Sequence, residues 1–230
     1  MTLEGNTSLS RLRFLIVNGF TSFNLLIGVL SLIAASLGET HLAAWGLLCC
    51  VALDGCDGSL ARRWRVTSSF GAHLDSLADM TSFMIAGASL IFYWVYWLQP
   101  APPLWLIGVM SGLYALAGAL RLARFNASPP DRRFFQGVPT TFAATVVAAN
   151  YLFNPALTAG QVLALVGMLS VLMVCTLPYP KLATMLRCPP WVWLAAAALA
   201  LSDLQLAVAT LTIAYLSLGP AIWLWRRVRG

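Results

Sequence analysis

The chain has 230 residues, of which 60% are hydrophobic and only 10% charged. A soluble domain carries about 25% charged residues, so this chain cannot cover a globular surface, and its hydrophobicity equally excludes disorder. A net charge of +6 would point to nucleic acid in a soluble protein. At a mean hydropathy of +0.79 it points instead to basic loops facing an anionic inner leaflet, with no nucleic-acid partner.

The composition therefore predicts an all-α, polytopic integral membrane bundle with little mass outside the bilayer. The first residues carry Arg11 and Arg13 and no small-residue cleavage site, which reads as a cytosolic leader rather than a cleaved signal. Eight apolar runs follow, at 14–37, 42–61, 74–98, 104–120, 138–153, 161–177, 191–201 and 204–225. A spanning helix needs about 20 residues. The first four runs and the last meet this, the fifth and sixth are marginal, and the seventh is short. Turn chemistry separates them at Gly38-Glu39-Thr40, Gln99-Pro100-Ala101-Pro102-Pro103, Asn154-Pro155 and Cys188-Pro189-Pro190.

Basic residues fix the orientation. With eight spans and a cytosolic N-terminus, all 14 Lys and Arg residues fall in the inside sections: the N-terminus, 62–73, 121–137, 178–190 and the C-terminus. An odd number of spans would put Arg226, Arg227 and Arg229 outside. About eight spans is the expectation, with six plus a re-entrant pair as the alternative. No internal repeat and no second domain is visible, so 1–230 reads as one membrane-embedded domain. The five cysteines form no CxxC pair and read as small buried residues rather than metal ligands.

Only eight acidic residues exist, and four crowd into one window. Asp54 and Asp57 sit near the cytosolic end of the second run; Asp75 and Asp79 sit near the cytosolic start of the third. Spacings of three and four put each pair on one helix face. A short basic loop makes the two helices antiparallel neighbours, so four carboxylates can converge just below the inner membrane surface. Ionised carboxylates in an apolar bundle are costly and repel one another. Hard oxygen ligands suit Mg²⁺ or Mn²⁺, and four carboxylates could hold two such ions. Gly58 and Ala61 are small enough for close approach of a ligand or of another helix. Arg62 is placed to answer phosphate charge, and Gly71 can start the third helix without crowding the site.

Written out, the window is Asp54-x2-Asp57-Gly58-x2-Ala61-Arg62-x8-Gly71-x3-Asp75-x3-Asp79. It resembles the signature of the CDP-alcohol phosphotransferase family at every fixed position. The stretches LDGCDGSLAR, FGAHLDSLADMTSF, RLARFN, FFQGVPT and LMVCTLPYPK resemble the phosphatidylserine synthase branch of that family. The first run, with Asn18-x2-Thr21-x2-Asn24-x3-Gly28, is similar to the nucleotide-contacting first helix of that branch. Three features depart from the pattern: His73, the stretch Met84-Ile85-Ala86-Gly87, and Pro139-Thr140-Thr141.

The resemblance implies transfer of a phosphatidyl group from CDP-diacylglycerol to L-serine, giving phosphatidylserine and CMP. It implies a bacterial inner-membrane protein with its active site facing the cytosol, and a homodimer. Within it, Asp54, Asp57 and Asp75 are expected to bind metal. Asp79 is expected to be the general base for the serine hydroxyl, with metal contact as a second role. CDP-diacylglycerol is expected against Asn18, Thr21, Asp54, Asp57, Gly58, Ala61, Arg62 and Ser68. The serine carboxylate needs a cation, and Arg121 and Arg124 end the fourth run on one face, with Asn126 and Gln136 as further polar candidates. His73 is expected near the site without a catalytic role, and His41 at the outer interface. The rival readings are the same chemistry on glycerol phosphate, inositol phosphate or choline, and a divalent-cation carrier lined by the aspartates. The carrier reading leaves Gly58-x2-Ala61-Arg62 unexplained.

Overall fold

The apolar runs become helices whose ends follow local chemistry. The structure, a computed structural model, describes residues 4–64, 68–127, 134–180, 198–199 and 201–229. Helix α1 (Glu4–Ser36) and helix α2 (Thr40–Trp64) are joined by a tight turn. Gly38 there takes a φ of +88°, and the Glu39 N–H reaches back to the Ala34 carbonyl at 2.9 Å. A left-handed glycine with that bond satisfies carbonyls the helix end leaves open.

The third run starts earlier than its hydropathy suggests. Helix α3 (Ser69–Asp79) begins at the cap Ser68, whose Oγ accepts the Gly71 N–H at 2.9 Å. After Asp79 the rod continues through a π-helical turn, Met80–Ile85, into helix α4 (Ala86–Trp97). The Ala86 N–H bonds the Thr81 carbonyl five residues back, which marks the wider turn. Such insertions change the phase of a helix and are frequent at functional sites. Here the turn packs Ser82, Phe83 and Met84 into the interior at 0% exposure.

Helix α5 (Leu104–Ala127) leads to a short strand β1 (Phe134–Gln136), then helices α6 (Thr140–Phe153) and α7 (Ala159–Val174). Strand β2 (Pro178–Pro180) pairs antiparallel with β1, Phe135 opposite Tyr179. Helix α8 (Leu204–Arg229) closes the chain and packs on β2 and α6. Pairing of β1 with β2 ties the α5–α6 connection to the segment after α7.

The core runs through the bundle axis. Leu47, Phe83, Leu90, Ile91, Val95, Ile107, Tyr114 and Leu169 are fully buried in it. Leu15, Leu26, Leu30, Leu116 and Ile213 are exposed on the outer faces, as lipid-facing residues should be. α1 makes its largest contact with α2. It approaches the third rod closely at Gly28, where a Cβ would stand 2.6 Å from the Ser82 Cα. Small residues at such crossings let helix backbones meet.

The fold is all-α, as expected. Among the described residues, five helical stretches are long and apolar enough to cross a membrane: Arg11–Ser36, Thr40–Trp64, Ser69–Trp97, Leu104–Ala127 and Leu204–Leu224. These correspond to the first four apolar runs and the last. α6 and α7 are the shorter fifth and sixth. The seventh run, 191–201, lies largely outside the described residues, as do Arg65, Arg132, Arg133, Lys181, Arg187 and Cys188.

Candidate active site

Three helices build the site at one end of the bundle: α1, the C-terminal part of α2, and α3. The spacing of three between Asp54 and Asp57 puts both on one face of α2, and α3 presents Asp75 across from them. Asp54, Asp57 and Asp75 each offer a carboxylate oxygen, and these atoms all lie within 4.8 Å of one another. Asp57 is 3% exposed and accepts a hydrogen bond from the Thr21 hydroxyl at 2.9 Å. That bond anchors α1 to α2 and fixes one carboxylate of the three. Like charges this close raise each other's cost of ionisation. An all-oxygen donor set of this kind fits a hard divalent cation.

Beside the carboxylates lies a cleft of about 160 Å³. Of the eight expected nucleotide contacts, Asn18, Thr21, Asp57, Gly58, Ala61 and Ser68 line it and Asp54 and Arg62 do not; Val17, Gly71, Ala72 and Asp75 line the rest. Gly58 faces open space. A Cβ there would meet only the Arg62 guanidinium, at 3.5 Å, so helix packing is not what calls for this glycine. Arg62 is exposed and folds back over Gly58. Asn18 donates from Nδ2 to the Phe14 carbonyl at 2.8 Å, while its buried Oδ1 finds no hydrogen-bond partner among the described residues. That oxygen faces Gly71, where a Cβ would meet it at 3.2 Å.

Asp79 stands apart from the other three. It lies one turn deeper than Asp75, at the junction of α3 with the π-helical turn, and shares a side-chain hydrogen bond with Asp54. Its Oδ1 is buried and has no hydrogen-bond partner among the described residues. The four aspartates thus form a group of three and a fourth that is hydrogen-bonded to Asp54.

The polar residues at the end of α5 separate into different tasks. Arg121 is 7% exposed and lies within electrostatic reach of Asp79 and Tyr215. Arg124, expected in the acceptor pocket, clamps a helix end instead. Its guanidinium donates to the carbonyls of Val174 at 2.7 Å, Met173 at 3.1 Å and Gln136 at 3.3 Å. The last carbonyls of α7 have no partner within their own helix, and a cation there is favoured. Asn126 donates to the Ser76 hydroxyl at 2.9 Å and so ties α5 to α3 beside Asp75. His73 is exposed on α3, and His41 packs edge-on against Tyr151 at 5.1 Å at the opposite end.

Two features of the site carried no usable sequence signal. Ser76 follows Asp75 on a helix and reads as a solvated serine until Asn126 is seen to reach it. Gly137, at φ +77°, packs where a Cβ would meet the Met173 carbonyl at 2.6 Å. It lets the Val138 N–H reach the Leu172 carbonyl at 3.1 Å and completes the cap on α7.

Residues 14–178 match the model of the CDP-alcohol phosphatidyltransferase family, and the chain belongs to that family. It is an integral membrane transferase, and its acidic cluster fits the divalent metal that such enzymes typically use. Among curated relatives, a CDP-diacylglycerol–serine O-phosphatidyltransferase of Helicobacter pylori is 34% identical over 177 residues, 73% of each chain. One of the same name from Bacillus subtilis is 31% identical over 159 residues, 68% of this chain and 85% of the relative. An archaetidylserine synthase of Methanothermobacter thermautotrophicus is 34% identical over 159 residues, 67% of this chain and 64% of its own.

Proposed function

We propose that this chain is a CDP-diacylglycerol–serine O-phosphatidyltransferase, which moves the phosphatidyl group of CDP-diacylglycerol to L-serine and releases CMP. The observation that carries the reading is the group of three carboxylates, within 4.8 Å of one another, on the edge of a cleft that α1 helps to line. The acceptor is inferred from the relatives, whose names share serine as the group acquired.

Asp54, Asp57 and Asp75 would hold the metal, two Mg²⁺ or Mn²⁺ ions, with Asp79 as a further contact. Bound there, the ions would neutralise the diphosphate and stabilise charge on the departing CMP. Asn18, Thr21, Asp54, Asp57, Gly58, Ala61, Arg62 and Ser68 form the CDP-diacylglycerol site. Gly58 and Ala61 leave room for the diphosphate, Asn18 Oδ1 offers an acceptor to the nucleotide, and Arg62 turns from Gly58 onto a phosphate oxygen. Asp79 takes the proton of the serine hydroxyl as its oxygen bonds to the phosphorus nearer the lipid. The bond from that phosphorus to CMP breaks, the pair of electrons leaves with CMP, and Asp79 passes its proton to water. A serine hydroxyl is a weak nucleophile until its proton is removed in the transition state.

Arg121 is the cation that meets the serine carboxylate. Arg124 and Asn126 serve the acceptor pocket by fixing the elements around it. Residues 1–230 act as one domain in the inner membrane of a bacterium, with the site facing the cytosol, the acyl chains entering sideways from lipid, and a homodimer as the assembled form.

An acceptor screen tests the proposal. Purified protein supplied with CDP-diacylglycerol and divalent metal should release CMP with L-serine and not with glycerol phosphate, inositol phosphate or choline. Release with one of the other alcohols alone would assign the same chemistry to a different acceptor. No CMP with any of them would overturn the reading.

A further inference from the structure

Asn24 is the one buried asparagine whose carboxamide is idle at both ends among the described residues. It is 0% exposed, and neither its Oδ1 nor its Nδ2 has a hydrogen-bond partner. A buried amide without partners costs free energy, and such groups in native proteins call for an explanation. By contrast Asn150 donates to the Val146 carbonyl, and Asn154 donates to Asn150.

Its place in the bundle supplies the explanation. The Asn24 backbone carbonyl accepts the Ser82 hydroxyl at 3.0 Å and the Cys50 thiol at 3.5 Å. Ser82 is three residues beyond Asp79, and Cys50 is four residues before Asp54. α1 and the third rod run in the same direction, since Asn18 lies against Gly71 and Gly28 against Ser82. The pairs Asn18–Gly71 and Gly28–Ser82 on one side, and Thr21–Asp57 and Ser31–Gly46 on the other, place Asn24 between α2 and the third rod at the level of both Asp54 and Asp79. A helical side chain leans toward the N-terminus of its own helix, and Asn24 and Asp79, on parallel helices, lean the same way.

Asp79 has the complementary deficit. Its Oδ1 is buried and without a hydrogen-bond partner among the described residues; Asp54 is its hydrogen-bonded neighbour, and Arg121 lies within electrostatic reach. Asp54 also belongs to the three-carboxylate group. When its oxygens serve that group they turn from Asp79, which then needs a different donor.

We propose that Asn24 is the positioning residue of Asp79: its Nδ2 donates to the Asp79 carboxylate when Asp54 is engaged with its two companions, and holds it toward the acceptor hydroxyl. This rests on the reading of Asp79 as the base. The Asn24 carbonyl oxygen, at the other end of the same amide, stays free to face the incoming acceptor. In this assignment the motif Asn18-x2-Thr21-x2-Asn24-x3-Gly28 divides by depth. Asn18 and Thr21 line the nucleotide cleft, Asn24 serves the base, and Gly28 permits the helix crossing.

The test compares Asn24→Leu and Asn24→Ala with the parent and with Asp79→Asn, all in detergent. Because the Asn24 side chain makes no hydrogen bond among the described residues, neither variant should lower the melting temperature in EDTA, and Asn24→Leu, close in size, guards against a cavity effect. With metal, kcat for CMP release should fall by about 10–100-fold, the range for loss of an outer partner of a site ligand, while KM for CDP-diacylglycerol stays within about twofold. Unchanged kcat in Asn24→Leu would overturn the proposal. So would a parallel loss of CDP-diacylglycerol affinity, which would make Asn24 a nucleotide contact, and so would a lower melting temperature in EDTA in both variants, which would make it structural. Full turnover in Asp79→Asn would instead sink the assignment of the base. Collapse of Asp79→Asn with Asn24→Leu unaffected would sink only the role of Asn24.

Discussion

The two ends of the bundle bury polar groups in opposite ways. At the end formed by Thr40, Asn150, Asn154 and Thr212, each polar side chain finds a protein partner. Thr40 meets the Tyr151 hydroxyl at 2.6 Å, Asn154 donates to Asn150 at 2.8 Å, and Asn150 reaches Thr212 at 3.4 Å. At the carboxylate end Asn18, Asn24 and Asp79 keep buried polar atoms without such partners among the described residues, beside a cleft and three crowded carboxylates. The first end is finished by folding alone. The second borders the three-carboxylate group and the cleft, where we propose that metal and nucleotide bind. Among the described residues the buried polar atoms without partners gather at the carboxylate end, with Ser111 Oγ on α5 lying apart from them.

The sharpest way to break this contrast is at the carboxylates. Asp57→Asn should abolish CMP release and weaken divalent-metal and CDP-diacylglycerol binding together, since both rest on the same group; EDTA should do the same to the parent, with Mn²⁺ or Mg²⁺ restoring activity. Calorimetric metal titration beside the CMP assay checks this, and full turnover in chelator would remove the metal role. Asp79→Asn should come next. Loss of a general base costs about 10²–10⁴-fold, and the variant should keep CDP-diacylglycerol affinity in the presence of metal, measured by calorimetry and single-turnover CMP release.

A smaller effect is expected one contact further out. Thr21→Val deletes the hydrogen bond to Asp57, a proposed metal ligand, and should lower metal affinity or turnover by about 10–100-fold. At the opposite end the sign of the experiment changes. Asn150→Leu leaves the Asn154 amide without its acceptor and should lower stability by about 1–3 kcal/mol, read as a fall in melting temperature, while CMP release per folded molecule is unchanged. The smallest effect is the control. A Cβ at Gly19 would meet nothing within 4 Å, so Gly19→Ala should shift stability by no more than about 0.5 kcal/mol and leave activity intact. Lost activity there would mean that the open face of α1 carries a contact beyond the bundle.

Much of the site was legible because its chemistry is local. Spacings of three and four on helices fix which aspartates share a face, and carboxylates in an apolar run have few structural uses. Apolar run lengths likewise separated the five long helices from the two short ones, because span length is a one-dimensional property. Arg121 and Arg124 show where that reasoning stops. Both are arginines at the end of one apolar helix, three residues apart. Only the fold sends one toward Asp79 and the other onto the open carbonyls of α7.

The π-helical turn at Met80–Ile85 was equally beyond the sequence, because a single extra residue in a turn leaves no periodic trace over six positions. It decides which face of the third rod carries Asp79 and which buries Ser82 and Phe83. The sequence by itself determined a helical membrane protein, the residues of its acidic window, and the class of reaction that the signature implies. Tertiary structure alone decided that the four aspartates divide into three and one, that Asn18 and Asn24 serve different depths, and that Gly28 and Gly137 are packing and turn residues. The reason is that composition and period act along the chain, whereas partnership between polar atoms depends on which helices meet and at what depth.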